Sequence, residues 1–380
     1  MCKPHCSRSR DFLKTINCLQ RALLCCLVLC WCAPVWAHHK VINVTFINPG
    51  LAEESFWGDV DRFMQAAADQ LHVDLTILHG NRDVFHTLSL GESLAHRQDS
   101  SDFVILVNEK NTGPRLLSLL SGGSAKILFI LNNLTSEQES AFGRPRVDVE
   151  NWLGALVPDN HWVGYHTARQ IHEAMLQTSP FQEHFRWLAI SGDQSTPASQ
   201  QRERGLLDYV HEHRDISLVN IVYGEWQEAR AYDLTKVLLQ RSANVDGLWT
   251  ANDHMAFGAI KALREEGLTP GKDVYLSSVN SSVPVIDALE NGTISSLGAG
   301  HFTAGGWILV LAYDYMHGYD GFADQQVMQQ ALFELIRPHS KTASILREST
   351  WDQVDFSRFS RALNPQWQGY NFSLSEEITP

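Results

Sequence analysis

Apolar positions along this chain fall into two kinds of run that alternate. Stretches at 41–48 and 73–78 read as strands, and nearly unbroken aliphatic runs at 103–107 and 127–131 follow, with segments between them whose apolar residues recur at 3,4 spacing. Unbroken runs of this length are what strands of a parallel sheet look like when both faces are covered. The spacing predicts a helix over 55–72, with Phe56, Val60, Phe63, Met64, Ala67 and Leu71 on one stripe and Asp59 in its first turn. The pattern then restarts, with helices over 163–177, 201–213 and 228–241 and strands over 187–190, 216–223 and 274–279. Strands alternating with helices imply right-handed βαβ crossovers. Two such series predict two α/β lobes with a cleft between their strand ends. Residues 331–336 read as one more crossing strand. The tail after Ser349 carries Trp351, Phe356, Phe359, Trp367 and Tyr370, so it is expected to pack on a lobe.

The segment 245–263 organises the second series. Gly247-Leu248-Trp249 is short enough for one buried strand, and Met255, Ala256, Ala259, Ile260 and Leu263 give the helix that follows. Asp253 is the expected N-cap, its carboxylate accepting orphan N–H groups of the first turn. Asn252 then sits at the carboxyl end of the strand, the edge where open α/β sheets bind ligands. Its amide offers a donor and an acceptor to a polyhydroxylated molecule, although a simple capped turn would use the same two residues.

Residues 1–37 read as a cleaved secretory signal. Lys3, Arg8, Arg10, Lys14 and Arg21 precede the apolar segment 22–31, and the stretch ends in a small residue, Ala37. An uncleaved anchor is the competing reading. All seven cysteines lie in this leader, so the remainder has no thiol for disulfides, catalysis or metal binding. Loss of the leader's five basic residues and one acidic residue leaves 25 basic and 42 acidic side chains, a formal charge of −17. That balance argues against nucleic acid and anionic lipid surfaces as partners. No later apolar run approaches membrane-spanning length, so the exported protein is expected to be soluble and periplasmic. The histidine groupings lack companion carboxylates at ligand spacing, and neither a dinucleotide fingerprint nor a nucleophile elbow is present. No cofactor, metal or catalytic residue is expected.

Several short motifs agree in order and spacing. They are Ser55-Phe56-Trp57 entering the first helix, Pro158-Asp159-Asn160 before Gly164, and Arg202-Glu203-Arg204-Gly205. Trp226 after Gly224-Glu225, and Ala251-Asn252-Asp253 with Met255-Ala256, complete the set. Together, over 41–318, they resemble the type 1 periplasmic sugar-binding proteins, the ribose- and galactose-binding group of ABC transport. The resemblance implies an α/β fold of two Rossmann-like lobes with parallel sheets, joined by three hinge crossings, that closes on a sugar. It divides the chain into an N-terminal lobe (38–157 with 301–331), a C-terminal lobe (158–300 with 332–348) and a packed extension (349–380).

Under this resemblance Phe56, Trp57 and Trp226 are the aromatic walls, covering the C–H faces of a sugar. Asp159, Arg204, Asn252, Asn280, Asn132 and His301 are the polar partners. Each has a competing role: Phe56 and Trp57 as helix packing, Asp159 as a cap, Arg204 as a solvated helix charge, Trp226 as a surface aromatic. Asn280 and Asn132 stand where the family commonly has Asp, and His301 where it often has Gln. These three departures suggest a modified, acidic or furanosyl-type sugar. The implied partner is a membrane permease, the protein itself being a monomer. The alternative is a ligand-sensing subunit of a membrane receptor or histidine kinase. An enzyme would instead show turnover.

Overall fold

The computed structural model describes residues 41–97, 101–242, 244–367 and 369–372, and the expected leader lies outside them. The first series runs β1 (Ile42–Asn48), α1 (Ser55–Leu71), β2 (Val73–His79), α2 (Val84–His96), β3 (Phe103–Leu106) and α3 (Gly113–Leu120). It ends with β4 (Lys126–Ile130), α4 (Ser136–Phe142) and β5 (Trp152–Pro158). The second repeats the scheme as α5 (Asn160–Thr178), β6 (Phe185–Ser191), α6 (Pro197–Glu212), β7 (Ile216–Tyr223) and α7 (Glu228–Arg241). It continues through β8 (Gly247–Thr250), α8 (Asp253–Glu265), β9 (Tyr275–Val279), α9 (Val283–Glu290) and β10 (Ser296–Ala299). Then α10 (Ala304–Met316) returns to pack on α1, and β11 (Val327–Gln330), β12 (Glu334–Leu335) and α11 (Lys341–Glu348) follow.

Each sheet has six strands, in the orders β2-β1-β3-β4-β5-β11 and β7-β6-β8-β9-β10-β12. The first is parallel throughout; in the second, only β12 runs antiparallel. The two orders are the same, strand for strand, so the internal repeat in the sequence is a repeat of topology. The nearly unbroken aliphatic runs, β3 and β4, are buried on both faces, as is β8, whereas β2 at the sheet edge is partly exposed. The chain passes between the sheets after β5, after β10 and between β11 and β12.

Two strands escape the apolar pattern. In β5 a glycine interrupts the run (Trp152-Leu153-Gly154), and β10 is only four residues long, Ser-Leu-Gly-Ala. The expected strand at 331–336 divides instead into β11, which lies just before it, and the two-residue β12. The aromatic tail lies against the first lobe. Trp351 and Phe356 pack edge-on to Phe63 of α1, and Phe372 stacks on Trp307 of α10 at 4.8 Å. Buried Asp314 of α10 holds this tail by accepting from Ser360 Oγ, Arg361 N and Tyr370 Oη.

Candidate functional site

In both sheets the order reverses beside the first strand of the series, and crevices form at the carboxyl ends there. Those two edges face one another across a cavity lined from both lobes, by Phe56, Arg82 and Glu109 on one side and Arg202, Trp226 and Asn252 on the other. The lobes are thus drawn close around it. Hydrogen bonds span the gap: Ala198 N donates to Asn132 Oδ1 at 2.8 Å, and Ser281 Oγ to Asp59 Oδ2 at 3.0 Å.

The central cation is Arg202, on α6. The buried face of this helix comprises Ala198, Ser199, Arg202, Gly205, Leu206 and Tyr209, so Arg202 projects inward with the apolar stripe. Its Nε donates to Asn160 Oδ1 (2.9 Å), Nη1 to the Ala251 carbonyl (2.8 Å) and Nη2 to His301 Nε2 (3.1 Å). A guanidinium has five N–H donors, so two are left for the cavity. No carboxylate among the described residues forms an ion pair with it. Burial pulls its pKa down to about 9, against the raising influence of Glu109 and Asp253. It is therefore still charged at neutral pH. Close helix approach keeps it in place: a Cβ on Gly164 of α5 would lie 2.0 Å from the Arg202 carbonyl oxygen, and one on Gly205 would lie 2.1 Å from that of His161.

His301 stacks between Phe56 (4.5 Å) and Phe333 (4.4 Å). Burial, then the Arg202 charge, holds its pKa well below the ordinary histidine range. Its Nε2 accepts from Arg202, so the neutral ring carries its proton on Nδ1. Trp226 is fixed by its Nε1–H donating to Asp193 Oδ2 at 2.7 Å, and its ring fills the space that a side chain on Gly192 would need. Asp193 also accepts from Ser195 and Thr196, and these bonds hold its pKa below the usual carboxylate value despite burial.

Asn252 rather than Asp253 is the N-cap of α8, its Oδ1 accepting from Met255 N at 2.9 Å. The cap thus stands one residue earlier than the sequence suggested, and Asp253 serves another purpose. Its carboxylate accepts from Asn280 Nδ2 (2.7 Å) and Ser282 Oγ (2.6 Å), which pins the Asn280 amide at the end of β9. Among the described residues no hydrogen bond uses Asn252 Nδ2 or Asn280 Oδ1, a donor and an acceptor at adjacent strand ends.

The first lobe contributes a charged trio from three separate loops. Arg82 grips both carboxylate oxygens of Glu54 and donates through Nη1 to Glu109 Oε1 at 3.0 Å. Burial pushes the Glu109 carboxyl up to about 7, Arg82 resisting.

Of the nine residues singled out in the sequence, the cavity brings together Phe56, Trp57, Asn132, Trp226, Asn252, Asn280 and His301. Asp159 and Arg204 do not reach it. Asp159 is the cap of α5, its Oδ1 accepting from Trp162 N at 2.9 Å. Arg204 is exposed, on a separate groove with Gln200, Gln201 and Glu139, because two residues along a helix turn a side chain about 200° away. Their neighbours Asn160 and Arg202 occupy the cavity instead. Glu54, Arg82, Glu109, Thr196 and Ala198 also line it and were not anticipated. The spacing of α6 held the clue to Arg202; the loop residues left no pattern.

Comparison with known proteins agrees with this fold. Residues 153–320 match a family model described as a periplasmic binding protein domain. A solved periplasmic sugar-binding protein from Pseudomonas fluorescens is 37% identical, covering 88% of this chain and 99% of its own, at a TM-score of 0.79. A D-apiose import binding protein of Actinobacillus succinogenes is 26% identical over 199 residues, 49% of this chain and 61% of that protein. The arabinose-transporter binding protein of Shewanella sp. ANA-3, solved with arabinofuranose, shares the fold at 19% identity and a TM-score of 0.66, covering 82% of this chain and 95% of its own. The chain spans between 26% and 61% of the length of the curated relatives it matches. With the Pseudomonas protein alike over nearly its whole length and two sheets of one topology facing across a lined cleft, the chain belongs to the type 1 periplasmic sugar-binding proteins.

Proposed function

We propose that this protein binds a monosaccharide between its lobes and delivers it to a membrane permease of the ABC type. One observation carries the reading. Arg202 is buried with no carboxylate partner among the described residues, holds two N–H donors in reserve, and lines one cavity with the strand-end amides of Asn252 and Asn280 and the rings of Phe56 and Trp226. Unused donors and acceptors between aromatic walls suit a molecule whose faces are C–H and whose edge is hydroxyl. Two charge-assisted bonds and two or three neutral ones, less the cost of ordering, reach the ~8 kcal/mol of micromolar affinity. Similar proteins are described with D-allose, arabinofuranose and galactofuranose, so pentoses and hexoses in either ring form belong in the first screen.

Support for the permease comes from family membership. Among the described residues no helix is long and apolar enough to cross a membrane.

The test is a thermal-shift screen of the purified chain with D-allose, L-arabinose, D-arabinose, D-tagatose, D-galactose and methyl β-D-galactofuranoside. A sugar at 100 times its dissociation constant adds about 2.7 kcal/mol. At least one is expected to give a saturable shift. None doing so, with sugar acids and cyclitols equally silent, would overturn the reading.

A further inference from the structure

We propose that Glu109 is a specificity-determining residue of the cleft, accepting a ligand hydroxyl through its Oε2 while Arg82 and Glu54 hold it in place. The inference rests on the sugar-binding reading and adds to it a residue outside the motifs that carry the family resemblance.

The geometry is that of a prepared acceptor. Glu109 lies just beyond the end of β3, at the switch point of the first sheet, and lines the cavity while only 7% exposed. Its Oε1 takes the Arg82 bond, and no hydrogen bond among the described residues uses its Oε2. Arg82 cannot swing away, because its Nε and Nη2 are both engaged by Glu54. The backbone fixes it as well: Arg82 N donates to the Pro49 carbonyl at 2.8 Å. The other carboxylates near the cleft are spent. Asp193 is filled by Ser195, Thr196 and Trp226, and Asp253 by Asn280 and Ser282. Glu109 is therefore the one ionisable acceptor of the described cleft with an oxygen in reserve, across from Arg202 with its spare donors. A hydroxyl can donate to the first, and a neighbouring hydroxyl can accept from the second. A carboxylate or phosphate would set like charge against Glu109.

The charged groups around Glu109 are Arg82 and Glu54 from its own lobe, Lys110 beside it, and Asp193 and Arg202 across the cleft. Since its carboxyl sits at about 7, the acceptor is complete above neutrality and lost as the pH falls. Retention of a sugar through Glu109 should therefore weaken on acidification.

The experiment is calorimetric titration of the wild-type chain and Glu109→Gln, at pH 5.5, 6.5, 7.5 and 8.5, with whichever of the six screening sugars gives the largest shift. The wild-type dissociation constant is expected to rise several-fold from pH 7.5 to 5.5. Glu109→Gln should bind at least tenfold more weakly at pH 7.5, with a flat profile. A flat wild-type profile overturns the proposal even where the variant does not fold. So does a folded Glu109→Gln that binds within threefold of wild type at pH 7.5, and either result leaves the sugar-binding reading standing. Silence from all six sugars, as from sugar acids and cyclitols, would remove that reading and this inference with it.

Discussion

Replacing Arg202 with methionine separates the demands of folding from those of binding. The stem packs much as before, but the charge and its five donors are gone. Relief of burial is favourable: a guanidinium pulled down to about 9, well below its ordinary value, is opposed by roughly 5 kcal/mol that its removal releases. Against it, Asn160 Oδ1, the Ala251 carbonyl and His301 Nε2 lose their donors, at about 1–3 kcal/mol each. The two sides largely offset one another, so the free protein should unfold within about 4 kcal/mol of wild type. Binding has no such compensation. Two charge-assisted hydrogen bonds to a sugar vanish, at about 1.5–3 kcal/mol each, which weakens affinity by roughly 10² to 10⁴-fold. Urea unfolding without sugar and calorimetric titration with the best screening sugar measure the two quantities. A folded variant that binds within threefold of wild type would refute the assignment of Arg202 to the ligand. Arg202→Lys should fall between, since an ammonium keeps the charge but not the fork.

Arg204→Ala should leave affinity within twofold, because its side chain lies on another face of α6; a tenfold loss by calorimetry would place the cleft wrongly. Trp226→Ala should weaken binding at least tenfold and Trp226→Phe by less than fivefold, since phenylalanine keeps a ring face and gives up only the bond to Asp193. Equal losses in the two would contradict a stacking role. Gly164→Ala, with its Cβ 2.0 Å from a backbone oxygen, should lower stability by about 1–3 kcal/mol in thermal melts and also reduce affinity, because Arg202 must shift with that oxygen. In the free protein the Glu109 carboxyl, raised from 4.5 to about 7, holds a proton that the unfolded chain has lost. Its contribution is therefore greatest below about pH 4.5 and falls away by roughly 3 kcal/mol as pH rises through 7. The difference between wild-type and Glu109→Gln unfolding curves across that range isolates it, and a constant difference would contradict the raised value.

Much of this architecture is written in local patterns. Strands such as β3 and β4 are nearly unbroken aliphatic because both faces are covered, and α1 carries its stripe at helical spacing because one face is covered. β5 and β10 were silent for a physical reason. Glycine in the first lets β11 approach closely, a Cβ on Gly154 lying 2.3 Å from the Gln326 carbonyl, and the second is too short to show a period. The strand-end asparagines were legible because position along a strand determines which edge a residue reaches. The Arg202–Arg204 choice was open to the same kind of reasoning, since Ala198, Arg202, Leu206 and Tyr209 share one face of α6. The trio of Glu54, Arg82 and Glu109 was not. Those residues meet only because three loops converge at one sheet edge, and nothing within any single loop announces the other two.

The most direct measurement is a crystal structure of the protein grown with the sugar that stabilises it most. The sugar is expected between the rings of Phe56 and Trp226, with its oxygens within 2.7–3.2 Å of the Arg202 guanidinium, Asn252 Nδ2 and Glu109 Oε2. Sugar bound elsewhere, with the space between the two sheet edges still closed over by side chains, would contradict the reading.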